Sequence, residues 1–265
     1  PLSPSGVGTQ TKYMIEALLK TNRYSFVCLG GAMQHTDYTP VNVEPYGQDW
    51  TIYPVDGYGN HEIIRSILQK EKPDLVWFMT DPRFYEWLWE IENEVRANVP
   101  MVYYHVWDNF PAPHFNAKWY RSNDHVACIS KVTHEIVKQV APQVDSSYLP
   151  HAVNASIFRP SHTADEKAEA AKIRENILEA SQEKNPNPKK KIFFWNSRNA
   201  RRKQSGTLVW WFKEFLDEVG HDKAVLLMHT DPRDPHGQDL PHIIEHLGIA
   251  DGQILISSNK VAPEG

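Results

Sequence analysis

Only two cysteines occur in 265 residues, Cys28 and Cys128, each inside an apolar stretch (FVCLG and HVACIS). Such a pair excludes a disulfide framework as the source of stability and reads as two small core residues in reduced surroundings. No run approaches the roughly 18 consecutive apolar residues of a membrane span, and no charged-then-apolar leader opens the chain. Both absences argue for a cytoplasmic protein without a transmembrane segment, at most peripheral at a membrane. Positive charge is short as well: 28 Lys and Arg against 33 Asp and Glu leave a formal charge of -5. A dedicated nucleic-acid binder usually carries a basic surplus, so no nucleic acid is expected as a partner and any phosphate must be met locally. Several chemical signatures are also missing, among them GxGxxG, the GK[ST] ending of a P-loop, HExxH and the GxSxG elbow. His242 and His246 lie four apart on a predicted helix with His236 nearby. Lacking a third ligand and a general-base glutamate, they read as a solvated helix face, and no metal is expected.

What is present is a repeated alternation of short β-like runs with helical stretches, the pattern of a parallel sheet with helices packed on it. The fold class is therefore α/β, with Rossmann-like, doubly wound organisation. In the first half, a helix over residues 9–20 precedes the strand YSFVCLGG. WTIYPV then reads as a strand, HEIIRSILQKEKP as an amphipathic helix, DLVWFMT as a strand and FYEWLWEIENEVR as a helix. PMVYYHV and HVACIS are strands, VTHEIVKQVA a helix, and SSYLPHAV closes the half. A charged, Ala-rich segment and NPNPKKK follow, and then IFFWNSR, TLVWWFKEFLDEVG, AVLLMHT, LPHIIEHLG and QILISS repeat strand and helix. Trp210 and Trp211, with Phe215, have the spacing of core residues on the TLVWWFKEFLDEVG helix. The expected domains are residues 1–160, residues 161–190 as a charged helix and connector, and residues 191–265 as the first part of a second domain. No strand is legible ahead of the first helix, and three strands make a poor closed second domain. The expectation is a fragment in which both domains are incomplete and which is inactive by itself.

Three loops carry candidate chemistry. Arg198 and Lys203, five apart in FFWNSRNARRK, sit before a strongly periodic helix. Two cations and the free N–H groups of a helix start suit a diphosphate. Gly6, Val7 and Gly8 open the first helix, where glycines permit positive φ and close approach of a ligand to the backbone. His105 ends the strand PMVYYHV, at the strand end where open α/β sheets collect ligand contacts. It would accept or position a sugar hydroxyl, or stabilise developing positive charge through its backbone carbonyl. The loop after it, WDNFPAPHF, is aromatic and proline-stiffened, and Trp107 and Asp108 are candidate contacts to a sugar or acceptor.

Taken in order, these segments resemble the GT-B glycosyltransferases of family 4. SGVGTQTKYMIEAL is similar to that family's first loop and helix, and YYHVWDNF to the strand ending in its active-site histidine, which lands on His105. ACISKVTHEIV is similar to its next strand and helix, LPHAVNASIFRP to its hinge signature, and FFWNSRNARRKQ to its donor phosphate clamp, carried by Arg198 and Lys203. His151 and Ala152 stand where the family usually has Asn and Gly, and Ser197 where it has Gly. The family's EX7E segment is not found within these residues. The resemblance implies two Rossmann-like domains of GT-B type: an N-terminal acceptor-side domain lacking its first strand and a truncated donor nucleotide-sugar domain. It further implies retaining transfer of a sugar from a nucleotide diphosphate sugar to a glycan, lipid or other acceptor, with no obligatory metal or other cofactor. Gly6 and Gly8 would line the cleft near the phosphates, and His105 would sit beneath the transferred sugar. A nucleotide-sugar epimerase of the same architecture, and a non-catalytic sugar or nucleic-acid binding module using the basic RNARRK turn, remain as alternatives.

Overall fold

The computed structural model describes residues 2–3, 5–181 and 189–257. The chain divides into two compact units, Pro1–Asn154 and Ala155–Gly265. The charged helix expected within a connector groups with the second unit. Residues 182–188 of that expected connector and residues 258–265 lie outside the described residues.

The first unit runs α1 (Gly6–Leu19), β1 (Phe26–Gly30), β2 (Val41–Val43), β3 (Gly47–Pro54), α2 (His61–Glu71), β4 (Val76–Met79), α3 (Glu86–Trp89), α4 (Glu92–Arg96), β5 (Met101–His105), α5 (Ala117–Arg121), β6 (His125–Cys128), α6 (Lys131–Val140) and β7 (Ser146–Tyr148). Its strands form two sheets, in the orders β1-β3-β2 and β4-β5-β6-β7. All neighbours are parallel except the β2–β3 hairpin. Among the described residues, β1 and β4 each end a sheet, and no residue of the apolar run in β1 is fully buried.

Side-chain caps set the helix starts. Asn60 accepts from the Ile63 amide at 2.9 Å ahead of α2, and Ser130 accepts from the Thr133 amide at 3.0 Å ahead of α6. Each such cap contributes about 1 kcal/mol. Helix α6 then buries Thr133, Ile136, Val137 and Val140, the i, i+3, i+4, i+7 stripe of a helix laid on a sheet. In β5, Met101, Tyr103, Tyr104 and His105 are all buried, as expected of an inner parallel strand covered on both faces. The aromatic centre of this core is Phe78, Trp89, Tyr103 and Tyr120, with Phe78 and Tyr103 stacked at 5.2 Å. A separate cluster gathers Ile15 and Leu19 around the fully buried Trp50. Both cysteines are free thiols, and burial pushes that of Cys128 up to about 12.

The second unit comprises α7 (Ala164–Ala180), β8 (Lys191–Asn196), α8 (Ser205–Val219), β9 (Ala224–His229), α9 (Leu240–His246) and β10 (Ile254–Ile256), with one all-parallel sheet ordered β10-β9-β8. A capping box starts α7: Thr163 accepts from the Glu166 amide, and the Glu166 carboxylate accepts from the Thr163 amide. The Arg159 guanidinium, together with the His162 and Thr163 amides, holds that carboxyl at about 2. Helix α8 buries Val209, Phe212 and Leu216. That places Trp210 and Trp211 on the outer side, 52% and 62% exposed, so the expectation that they are core residues is corrected. The stripe that faces β9 starts one residue earlier, at Val209, and a helix turns about 100° per residue away from it.

Candidate functional site

Each unit gathers candidate side chains at the C-terminal ends of its parallel strands, the usual place for ligands in such sheets. In the first unit His105 ends β5 and is fully buried. Its Nδ1 lies 3.1 Å from the Tyr103 hydroxyl and its Nε2 2.7 Å from the Tyr120 hydroxyl. Tyr103 donates to the Thr80 carbonyl at 2.6 Å, so it accepts the proton from His105 Nδ1. Nε2 then accepts from Tyr120, whose oxygen also receives Asn116 Nδ2 at 3.3 Å. Burial lowers the imidazole to about 3, so it is neutral. The His105 carbonyl is engaged as well, by the Ile129 amide at 3.1 Å. In this arrangement neither ring nitrogen nor the carbonyl faces a ligand, and His105 fixes two tyrosines.

A ligand-sized pocket in this unit lies beside that relay. A pocket of about 480 Å³ is lined by Asp81, Arg83, Trp107, Asp108, Asn116 and Trp119, among others. Trp107 and Asp108, singled out from sequence, are both part of it. Trp107 is held by its indole N–H to the Asn109 carbonyl at 3.1 Å and meets Phe115 edge-on at 5.9 Å. Asp81 accepts from the Arg83 amide at 3.1 Å and lies 3.5 Å from the Arg83 guanidinium. Asn116 is fully buried, and its Oδ1 has no hydrogen-bond partner. Thr80, just before Asp81, has a φ of +142°, a strained value for a β-branched residue of the kind that collects at functional sites. The sequence signal for Asp81 was available, as the first carboxylate after the strand DLVWFMT, but it stood outside every motif.

Gly6, Val7 and Gly8 form the first turn of α1, where the Ser5 hydroxyl caps the Gly8 amide at 3.1 Å. The positive φ that these glycines permit is not used: both are helical, with the Ser5 cap leading straight into α1. Gly8 serves a close approach of another kind, since a Cβ there would lie 2.2 Å from the Ser3 carbonyl. Gly6 faces open space. From the next turn, Gln10 reaches the Ala152 carbonyl at 2.9 Å.

In the second unit, Arg198 follows β8 and pairs with Asp234, with Nε to Oδ2 at 2.7 Å and Nη2 to Oδ1 at 3.3 Å. His236 Nδ1 lies 3.2 Å from the same Nη2. The Arg198 side chain is 32% exposed and that of Asp234 only 7%. The guanidinium, helped by the His236 amide, holds the Asp234 carboxyl below the usual carboxylate range. Lys203 closes a 3-10 turn of Arg201–Lys203 and is exposed, as are Arg201 and Arg202. The helix start does not offer all its amides: Gly206 N–H donates to Gln238 Oε1 at 2.8 Å, a correction to the expected open helix end. A Cβ on Gly206 would meet Ile243 at 2.8 Å, and that close packing brings Gln238 over the turn. His242 and His246 flank a separate groove of about 360 Å³ between α8 and α9, which includes neither Arg198 nor Lys203. Among the described residues no three His, Cys, Asp or Glu side chains group as metal ligands, and no helix is long and apolar enough to cross a membrane.

No protein-family model matches the sequence, and no curated protein matches it. Solved structures do match the fold. Trehalose-6-phosphate synthase OtsA is 9% identical, covering 98% of this chain and 70% of its own, with a TM-score of 0.62. An E. coli structure described as bound with UDP-2-fluoro glucose is 10% identical, covers 97% of this chain and 71% of its own, and has a TM-score of 0.60. A UDP-forming α,α-trehalose-phosphate synthase from Burkholderia xenovorans in complex with glucose-6-phosphate is 11% identical over 97% of this chain and 72% of its own, with a TM-score of 0.59. At that identity the likeness concerns the fold, and the fold class of this chain is α/β of GT-B type, with Rossmann-like parallel sheets.

Proposed function

We infer that the protein is a glycosyltransferase that moves a sugar from a nucleotide diphosphate sugar to an acceptor, with retention and without an obligatory metal. The observation that carries this is Arg198, presented half-exposed in a two-point pairing at the C-terminal end of a parallel strand in a GT-B fold. Departure of a nucleoside diphosphate concentrates negative charge, and where no metal takes it up, guanidinium and ammonium groups must. Arg198 and Lys203 are the cations for that task. The solved relatives described as UDP-forming favour uridine as the donor base. The order of the five motifs, rather than any one of them, supports a family 4 kinship.

The pocket at the end of β4 and β5 is the acceptor side of this proposal. It offers aromatic faces at Trp107 and Trp119 and carboxylates at Asp81 and Asp108, the combination that stacks on and hydrogen-bonds a polyhydroxylated ring. His105 acts there as a positioning residue through Tyr120 and Asn116. On the family 4 resemblance alone, the loop of Gly6, Val7 and Gly8 is proposed as a backbone wall near the donor phosphates.

Calorimetric titration of UDP, GDP and ADP against the chain and an Arg198→Ala variant tests the clamp. The variant is expected to lose about 10²-fold in affinity for the preferred diphosphate, the scale of one lost donor at a developing charge. Equal affinity in both would refute it. The same titration with EDTA present is expected to be unchanged, and the anomeric configuration of any product, read by NMR, reports on retention.

A further inference from the structure

On the reading of Arg198 as a diphosphate contact, we propose that Asp234 is the positioning residue that holds its guanidinium in place for the ligand. An arginine on a loop carries large rotamer freedom, and an unheld side chain would have to be ordered at the moment of binding. Asp234 removes that freedom by gripping Nε and Nη2, the side edge of the fork. A phosphate oxygen that takes the place of His236 at Nη2 does not have to displace the carboxylate.

The carboxylate is itself fixed. It is nearly buried, its Oδ1 accepts from the His236 amide at 2.9 Å, and the Asp234 carbonyl accepts from Gly237 N–H at 2.9 Å. The loop that carries it is fastened to the loop that carries Arg198. Asn199 Nδ2 donates to the Gln238 carbonyl at 2.6 Å, and Asn199 Oδ1 receives both the Ser205 hydroxyl at 2.5 Å and the Gln238 amide at 3.2 Å. Gly237 passes so close to Asn199 that a Cβ on it would lie 1.8 Å from the Asn199 carbonyl. His236 completes the setting: its Nδ1 lies 3.2 Å from Arg198 Nη2 and 3.6 Å from Asp234 Oδ1.

Charge alone argues against a carboxylate here, because it cancels the cation that an anionic ligand needs. Its rigid, buried placement is explained by orientation, the advantage of a preorganised donor over a mobile one. Simple electrostatics and positioning therefore predict opposite signs for its removal. The test is UDP titration by calorimetry on the complete chain as wild type, Arg198→Ala, Asp234→Ala, Asp234→Asn and the Arg198→Ala/Asp234→Ala double variant, each checked by thermal unfolding. Asp234→Ala is expected to weaken UDP about tenfold although it removes a negative charge, and the double variant to bind no worse than Arg198→Ala alone, since the two residues act as one unit. Should Asp234→Ala not fold, Asp234→Asn, which keeps the shape, carries the test with a loss of about threefold. If Arg198→Ala weakens UDP while the Asp234 variants bind as tightly as wild type or tighter, the proposal is overturned and the clamp stands. If Arg198→Ala changes nothing, the clamp itself is wrong.

Discussion

His105 and Arg198 occupy equivalent places, each at the C-terminal end of a parallel strand, yet their surroundings are opposite. His105 is sealed among hydroxyls and kept neutral by burial, whereas Arg198 is half-exposed and keeps its charge against a carboxylate. A titratable side chain at a strand end is thus open to a ligand only when the chain around it leaves it reachable. In one case desolvation makes the group part of the core. In the other a fixed counter-charge keeps it in view.

Several measurements break or sharpen that contrast. The largest effect is expected from His105→Ala, which leaves the Tyr103 and Tyr120 hydroxyls without their shared partner and opens a cavity. A loss of about 3 kcal/mol in unfolding free energy by denaturant titration is expected. A loss below about 1 kcal/mol would mean the relay is not what holds this strand end. Gly237→Ala forces a Cβ against the Asn199 backbone and is expected to cost about 2 kcal/mol and to weaken diphosphate binding together with it. Unchanged affinity would separate the clamp from its supporting loop. Acid should act on the first unit through His105. Between pH 6.5 and about 3 the unfolded chain holds a proton there that the folded chain lacks. Stability therefore falls as pH falls, by up to about 1.4 kcal/mol per unit from this group. His105→Gln should flatten that slope, and an unaltered slope would assign it to other groups. The smallest change is Gly6→Ala, expected to stabilise by about 0.5 kcal/mol because the site is helical and open.

Much of the fold is legible in the sequence because periodicity is local. The runs IFFWNSR, AVLLMHT and PMVYYHV read directly as strands and VTHEIVKQVA as a helix, and the structure places them there. The hairpin strand β2 is not legible, being only three residues long and largely exposed. Nor is the break between α3 and α4 inside FYEWLWEIENEVR, where Ile91 N–H bonds back three residues to Leu88. Trp210 and Trp211 misled for a different cause: bulk suggests burial, but the face of α8 is decided by Val209, Phe212 and Leu216. In the candidate sites, Arg198, Trp107 and Asp108 stood out because charge and aromaticity cluster in loops. Asp234 did not, since its partner is 36 residues away and no spacing rule joins them. Likewise nothing in YYHVWDNF shows that the histidine is walled in by Tyr120, which arrives from α5.

Among the described residues β1, β4 and β8 each border a sheet without a neighbouring strand, which has a practical consequence for handling the protein. Each offers a ladder of backbone donors and acceptors, with Val27 of β1, Phe194 of β8 and Leu75 just before β4 between 39% and 63% exposed. Such margins template the addition of strands from neighbouring molecules. Colloidal behaviour should therefore depend steeply on protein concentration, and light scattering on a dilution series will show self-association setting in before unfolding does.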